Sequence, residues 1–229
     1  SFLFLKKYFI DNKNFKIDFI FSSFKKSFSI PNGSCLISSK EIKYYNKKDL
    51  YLTSKFDNLW LKGHLKKKKY LATNSGYKLS EEKKYLKIFK KYSLMNNSVF
   101  GNISNLSNKI LKRIDLQKNT KIRTLNYKYF RKKLLKRNKL NIPKIVDTNN
   151  FCPNFFPVFF KNKTLRDLFI KKLHKEKFYF PIHWKTNRNL LKRYNIKSNL
   201  YNLEISFIID QRIDKSRIDK VCNLMVGLK

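Results

Sequence analysis

The sequence predicts an α/β chain: two short strands near its start, a helical middle and a small α+β unit at its end. Three observations carry this. Apolar, β-prone runs stand at Phe15–Phe21, Cys35–Ile37, Phe155–Phe160 and Glu204–Ile209. Between about Lys55 and Lys136 the apolar residues recur at helical spacing. From Phe155 onward the order reads strand, helix, strand, strand, helix, the pattern of an α+β unit.

Each element has a local reason. Phe15–Phe21 (FKIDFIF) is apolar with one interior Asp and reads as a buried strand. Ser22, Ser23, Phe24, Lys25 and Lys26 follow it, and Ile30-Pro31-Asn32-Gly33 makes a turn into the second strand. Ser80 can start a helix whose apolar residues are Leu79, Tyr85, Leu86, Phe89 and Leu94. Ile103, Leu106, Ile110, Leu111 and Ile114 form a further stripe, and Ile122, Leu125, Tyr129 and Leu134 another. Gly101 and Asn96-Asn97-Ser98 punctuate this region. Asn141–Pro153 reads as a loop, and Pro157 argues that Phe155–Phe160 is an edge or irregular strand. Thr164–Lys175 is a helix with Leu165, Leu168, Phe169 and Leu173 on one face; Phe178–Ile182 is extended. Asp214 can cap a last helix that buries Ile218, Val221, Cys222 and Met225.

Composition bounds the function. The 229 residues carry 53 Lys+Arg against 15 Asp+Glu, a net charge of +38. An apolar share of 42% excludes a wholly disordered basic tail. No uncharged apolar run reaches the roughly 18 residues a membrane helix needs, and Lys6 and Lys7 interrupt the aromatic start. Cys35, Cys152 and Cys222 are too few and too scattered for a disulfide framework or a thiolate metal site. A reducing, cytoplasmic setting is the default expectation. No metal site and no glycine-rich phosphate loop is expected. His64 and His174, in lysine-rich helical text, read as surface residues. The opening Ser, in place of Met, suggests that residues precede it.

The charge has two readings. Lys66–Lys69 and the run Arg131, Lys132, Lys133, Lys136, Arg137 and Lys139 suit phosphate contacts, as in a ribosomal or other RNA-binding protein. A single Ala, 5 Gly and 5 Pro beside abundant Lys, Asn, Ile, Phe and Tyr suit an AT-rich genome, organellar or otherwise, whatever the function. The runs lie in helical segments, where a solvated helix face accounts for them as well.

Three segments resemble pieces of one family. Asp18–Gly33 resembles the cofactor-lysine segment of sugar aminotransferase-like enzymes of the DegT type, fold-type I enzymes that use pyridoxal phosphate. Lys26 falls on the Schiff-base lysine; Lys25 stands where one branch has Arg, and Asn32 where it has Asp. Phe178–Trp184 is similar to that branch's segment of Pro-x-His-Trp character in the small domain. Glu204–Arg212, followed by Asp219, is similar to its closing strand and helix, with Ile208 replacing the usual proline and Ile213 the usual tyrosine. Arg123, Asn126 and Tyr127 resemble an Arg-x-x-Asn-Tyr helix that opens the small domain.

The resemblance implies a PLP-dependent transferase fold: residues 1–100 as the end of the large α/β domain and 101–229 as the small C-terminal α+β domain. It implies that Ser1 lies just past the segment holding the Asp for the cofactor's ring nitrogen, so the large domain's first half is missing and the fragment alone is inactive. It implies transfer of an amino group from an amino-acid donor such as glutamate to a keto-sugar, often nucleotide-linked, in sugar or surface polysaccharide biosynthesis. The full-length enzyme would be a homodimer with its site at the subunit interface.

Lys26 would hold the cofactor and carry the proton, as a lysine amine of lowered pKa can. Lys25 is the neighbouring candidate. Ser22 and Ser23 would donate hydrogen bonds to the cofactor phosphate, with added charge from Lys25. His183 would face the substrate at the site's mouth, and Arg212 would meet an anionic substrate group. An ion pair of Arg212 with Asp210 or Asp214 is the structural alternative, as a turn is for Asn32-Gly33 and the serines. RNA binding, and a decayed relative that keeps the fold without the chemistry, remain the competing readings.

Overall fold

A computed structural model describes residues 19–38, 40–41, 53–73, 78–96, 102–135, 140–143, 152–183, 188–193 and 200–226. Residues 1–18 (the first half of the expected opening strand included), Trp184, Gly101, Lys136, Arg137, Lys139 and most of the 141–153 loop lie outside them. The chain divides into two compact units, Ser1–Asp115 and Leu116–Lys229. Both helix and sheet are present; Phe178–Ile182, expected as a strand, pairs in no sheet, and the short strand Leu140–Asn141 and the helix Arg188–Arg193 were not expected.

In the first unit, β1 (Phe19–Ser23) and β2 (Ser34–Ser38) form an antiparallel ribbon with Ser22 opposite Cys35. The ribbon is no buried sheet: Phe19 and Phe21 are exposed, contrary to the expected buried strand. Alternation puts these two phenylalanines on the same, exposed face of the ribbon. Helices α1 (Thr53–Ala72) and α2 (Leu79–Asn96) pack as a hairpin. Their seam is aromatic, with Phe56 against Tyr92 at 4.4 Å and Tyr70 against Tyr85 at 5.8 Å between ring centroids. Gly63 lets the helices approach, since a Cβ there would stand 2.8 Å from the Phe89 ring. Of the α2 stripe read from sequence, Leu79, Leu86 and Leu94 are exposed and Tyr85 is buried; Tyr92, outside that stripe, is buried too. The buried face is turned toward the long aromatics, which reach α1 while the leucines stay outside. His64, read as a surface residue, is half-buried: its ring sits 4.3 Å from Trp60 and 5.0 Å from Phe89.

Helix α3 (Asn105–Leu111) belongs to this unit, and Ser104 caps it by accepting from the Ser107 amide. In the second unit, α4 (Leu116–Leu134), α5 (Lys163–Lys175) and α7 (Lys215–Leu224) pack with a sheet ordered β3 (Leu140–Asn141), β4 (Phe155–Phe160), β5 (Glu204–Ile208). Short α6 spans Arg188–Arg193. Strand β4 alternates strictly: Phe156, Val158 and Phe160 are buried. Phe130 stacks between Phe156 and Phe207 at 5.6 and 5.1 Å. Burying such aromatic side chains contributes about 1.5–3 kcal/mol each.

Pro157 sits in the middle strand, not on an edge, yet the rule behind that expectation holds locally. Strand β3 pairs only with Phe159 and Phe160, and opposite Pro157 the Ser206 amide points outward to the Pro181 carbonyl. The missing proline N–H therefore interrupts no ladder bond. Asp214 caps α7 by accepting from the Arg217 amide, and Ile218, Val221, Cys222 and Met225 are buried as the spacing requires. Leu168 and Leu125 are exposed, against expectation; the buried faces of α5 and α4 instead include Arg166 and the pair Arg123 and Asn126.

Candidate functional site

The lysine segment is built on the end of β1. A single 3-10 turn, Phe24–Lys26, follows the strand, and the Phe24 amide donates to the Gly33 carbonyl at 3.0 Å, closing the loop. Gly33 has φ +120°, open to glycine and strained for other residues. Phe28, Ile30 and Ser27 are buried and anchor the loop from below. Lys26 is exposed, and Lys25, Ser22 and Ser23 are half-buried.

The two lysines are in different environments. The Lys25 amine lies 5.0 Å from the centre of the Tyr92 ring. Burial, and then the charge of Lys26, lower its pKa. Tyr92 itself donates to the Pro31 carbonyl. Asn32, expected to be a plain turn residue, is a cross-brace. Its Oδ1 accepts from the Ser104 amide and from Ser107 Oγ, both at 2.9 Å, and its own amide donates to Ser107 Oγ at 3.1 Å. The loop bearing both lysines is thus tied to α2 and α3.

Pyridoxal phosphate offers an aldehyde, a phosphate and a ring nitrogen. Two lysine amines, one of lowered pKa, and two strand-end hydroxyls are the donor set its aldehyde and phosphate ends take, so the residues present fit that part of the group.

The second unit holds the other expected residues. His183 lies in the extended segment after α5, which the Ser206 amide holds by donating to Pro181 at 3.0 Å. The His183 amide donates to Glu204 Oε2 at 2.8 Å, and its Nδ1 is 3.2 Å from Glu204 Oε1. Ser206 Oγ also donates to Glu204 Oε1. The Phe155 ring meets the imidazole edge-on at 4.9 Å. Glu204 is buried and His183 partly exposed.

Arg212 makes the structural pair. Its Nε is 2.9 and 3.0 Å from the Asp210 carboxylate oxygens and its Nη2 2.6 Å from Oδ2. The carboxylate holds the guanidinium's pKa still higher than usual. His183 is held at the first residue of β5 and Arg212 beyond the last. The two carboxylates that hold them, Glu204 and Asp210, stand six positions apart, at the start of β5 and just past its end.

Sequence reading passed over Glu204 as a functional residue, although it stood within a quoted segment. The available signal was polar Glu204 and Ser206 at i, i+2 in an otherwise apolar strand. It also left Asn126 without a role. The Asn126 amide donates to the carbonyls of Ile209 and Ile213 at 3.1 and 3.0 Å, so the helix and the closing segment that drew the resemblance are physically joined. Among the described residues no group of three His, Cys, Asp or Glu could hold a metal ion, and no helix is long and apolar enough to cross a membrane. Cys35, Cys152 and Cys222 form no disulfide among the described residues.

No family profile matches the chain, and no curated protein matches it. Seven solved chains do. One is the aminotransferase TlmJ from Streptoalloteichus hindustanus, 15% identical over 56% of this chain and 38% of that one, with a TM-score of 0.39. Another is PseC of Helicobacter pylori, an aminotransferase involved in the biosynthesis of pseudoaminic acid. It is 12% identical over 62% of this chain and 46% of that one, also with a TM-score of 0.39. The chain therefore spans less than half the length of either of these aminotransferases.

Proposed function

We propose that this chain is part of a pyridoxal-phosphate-dependent aminotransferase of the DegT type that acts on a keto-sugar, with Lys26 as its cofactor lysine. The observation that carries the reading is the braced loop after β1. It presents the Lys26 amine to solvent, beside the half-buried Lys25 and the Ser22 and Ser23 hydroxyls. When bound, pyridoxal phosphate would supply the electron sink for moving an amino group. Lys26 would hold it covalently and carry the proton. Ser22 and Ser23 would donate to its phosphate. Burial, and then the charge of Lys26, make the Lys25 amine give up its proton more readily than a solvated one. The amino donor would be an amino acid such as glutamate and the acceptor a keto-sugar, in a cytoplasmic homodimer of the full-length enzyme. His183 would contact the substrate.

The test is to incubate the chain with pyridoxal phosphate, reduce with borohydride and map the modified peptide. The expected result is one dominant adduct on Lys26, lost in K26A and kept in K25R. A dominant adduct on Lys25 moves the covalent role by one residue. Labelling spread evenly over the exposed lysines removes the reading, and a steeply salt-dependent affinity for RNA would then put the basic surface first.

A further inference from the structure

We infer that Tyr92 is a positioning residue for the lysine loop: it holds the Lys25 amine against its ring, so that Lys26 is the amine an aldehyde meets. This role rests on the reading of Lys26 as the cofactor lysine. Lys25 and Lys26 are neighbours of the same chemistry, so whatever selects between them is tertiary. The Lys25 Nζ lies over the Tyr92 ring, 5.0 Å from its centre. An ammonium there is attracted to the negative face of the ring. Lys26 is exposed.

The ring is a fixed support. Tyr92 is buried on α2, at 7% exposure. Phe56 of α1 packs against it at 4.4 Å between centroids, and its hydroxyl donates to the Pro31 carbonyl of the same loop. It cannot turn away without breaking the helical seam or the loop's own brace. One side chain thus ties the loop to the hairpin and engages one of its two amines.

Two effects on Lys25 oppose each other. Burial, and then the charge of Lys26, ease the loss of its proton, which favours it as a nucleophile. Access favours Lys26. An amine forms a C=N bond with an aldehyde only when its nitrogen lone pair reaches the carbonyl carbon. The carbonyl oxygen then leaves as water with two hydrogens from nitrogen, and the extra proton of the ammonium goes to solvent. Lys25 must leave the ring first, and the ring favours the ammonium, which has no lone pair to give. The exposed Lys26 starts in solvent. Access therefore decides, and Tyr92 controls it.

The experiment is reductive methylation of the full 229-residue chain with limiting formaldehyde and a borohydride, read by tandem mass spectrometry as the ratio of methylated Lys25 to methylated Lys26. Formaldehyde carries no phosphate or ring, so the ratio reports the loop and not a cofactor site. Lys26 is expected to lead in the native wild type, and the two to become equal in guanidinium chloride. Y92F keeps the ring and should keep the native ratio. Y92L removes the ring and should raise the Lys25 share about three- to tenfold, the factor to which a cation–π contact of this kind corresponds. An unchanged ratio in folded Y92L overturns the inference, as does a rise in Y92F equal to that in Y92L. Lys25 leading in the native wild type, or a Lys26 preference that survives unfolding, overturns it without any variant. Labelling by pyridoxal phosphate that spreads over all lysines would remove Lys26 as the cofactor lysine and leave these ratios as they are, so the two failures are told apart.

Discussion

The Asn126 side chain reaches from α4 to the Ile213 carbonyl, 3.0 Å away, and to the Ile209 carbonyl at 3.1 Å. Both acceptors belong to the turn between β5 and α7, and Asn126 is buried. Removing the amide leaves buried carbonyls unpaired, at about 1–3 kcal/mol. N126A is expected to lose that much stability in urea unfolding followed by circular dichroism. N126D should lose at least as much near neutral pH, since a carboxylate facing carbonyl oxygens adds repulsion. An unchanged midpoint in both variants would show that the turn holds itself.

Gly33 offers a test of the lysine loop. Its φ of +120° strains any L side chain, and a Cβ would stand 2.7 Å from Ile103 Cδ1. G33A is expected to lose about 1–3 kcal/mol. Trimming the obstacle in G33A/I103A should restore only part, because the backbone strain remains. Full recovery in the double variant would assign the whole cost to the clash.

Much of the second unit was legible in the sequence, and much of the first was not. The α7 stripe and the Asp214 cap follow from spacing alone, because a short amphipathic helix has a single face it can bury. Helix α2 misled because leucine and tyrosine compete for the inward face, and the seam with α1 chose the rings: Tyr92 inside, Leu94 out. That choice depends on Phe56 and Gly63, some thirty residues away. Lys26 was legible only as a resemblance, since an exposed lysine in a lysine-rich chain has no local signature. The difference between Lys25 and Lys26 depends on which of them lies over Tyr92, a tertiary fact. Glu204 was hidden because its partner His183 is twenty-one positions earlier.

Alkaline pH should loosen the first unit through Tyr92. Burial, then the charge of Asp57, raise its phenol well above the usual tyrosine range. The folded chain therefore keeps a proton that the unfolded chain releases near pH 10. The contribution to stability is complete below about pH 10 and is lost as pH rises from there through the folded value. Y92F should lower stability at neutral pH by about 1 kcal/mol for the lost bond to Pro31, and should flatten the decline above pH 10. Some slope will persist, since burial also raises the Tyr127 phenol. Denaturant midpoints measured from pH 8 upward decide this; parallel curves for wild type and Y92F would exclude Tyr92 as the source.

The Arg212–Asp210 pair distinguishes a structural role from a substrate contact by the order of its variants. Asp210 is buried, while the Arg212 side chain is 60% exposed. Asp210 also accepts the Arg212 backbone amide at 3.0 Å, and its charge opposes the fall that burial imposes on the pKa of Arg123. Losing the arginine removes a solvent-screened pair, about 1 kcal/mol at most. Losing the carboxylate leaves the buried Arg123 without its compensating charge, and an uncompensated buried ion costs more, up to about 3–5 kcal/mol. The expected order of destabilisation is D210A above R212A, with R212K between R212A and wild type because an ammonium cannot reproduce the fork. If R212A instead leaves stability unchanged but weakens binding of an anionic ligand such as inorganic phosphate, Arg212 is released to a ligand in solution and the pair with Asp210 is a resting state.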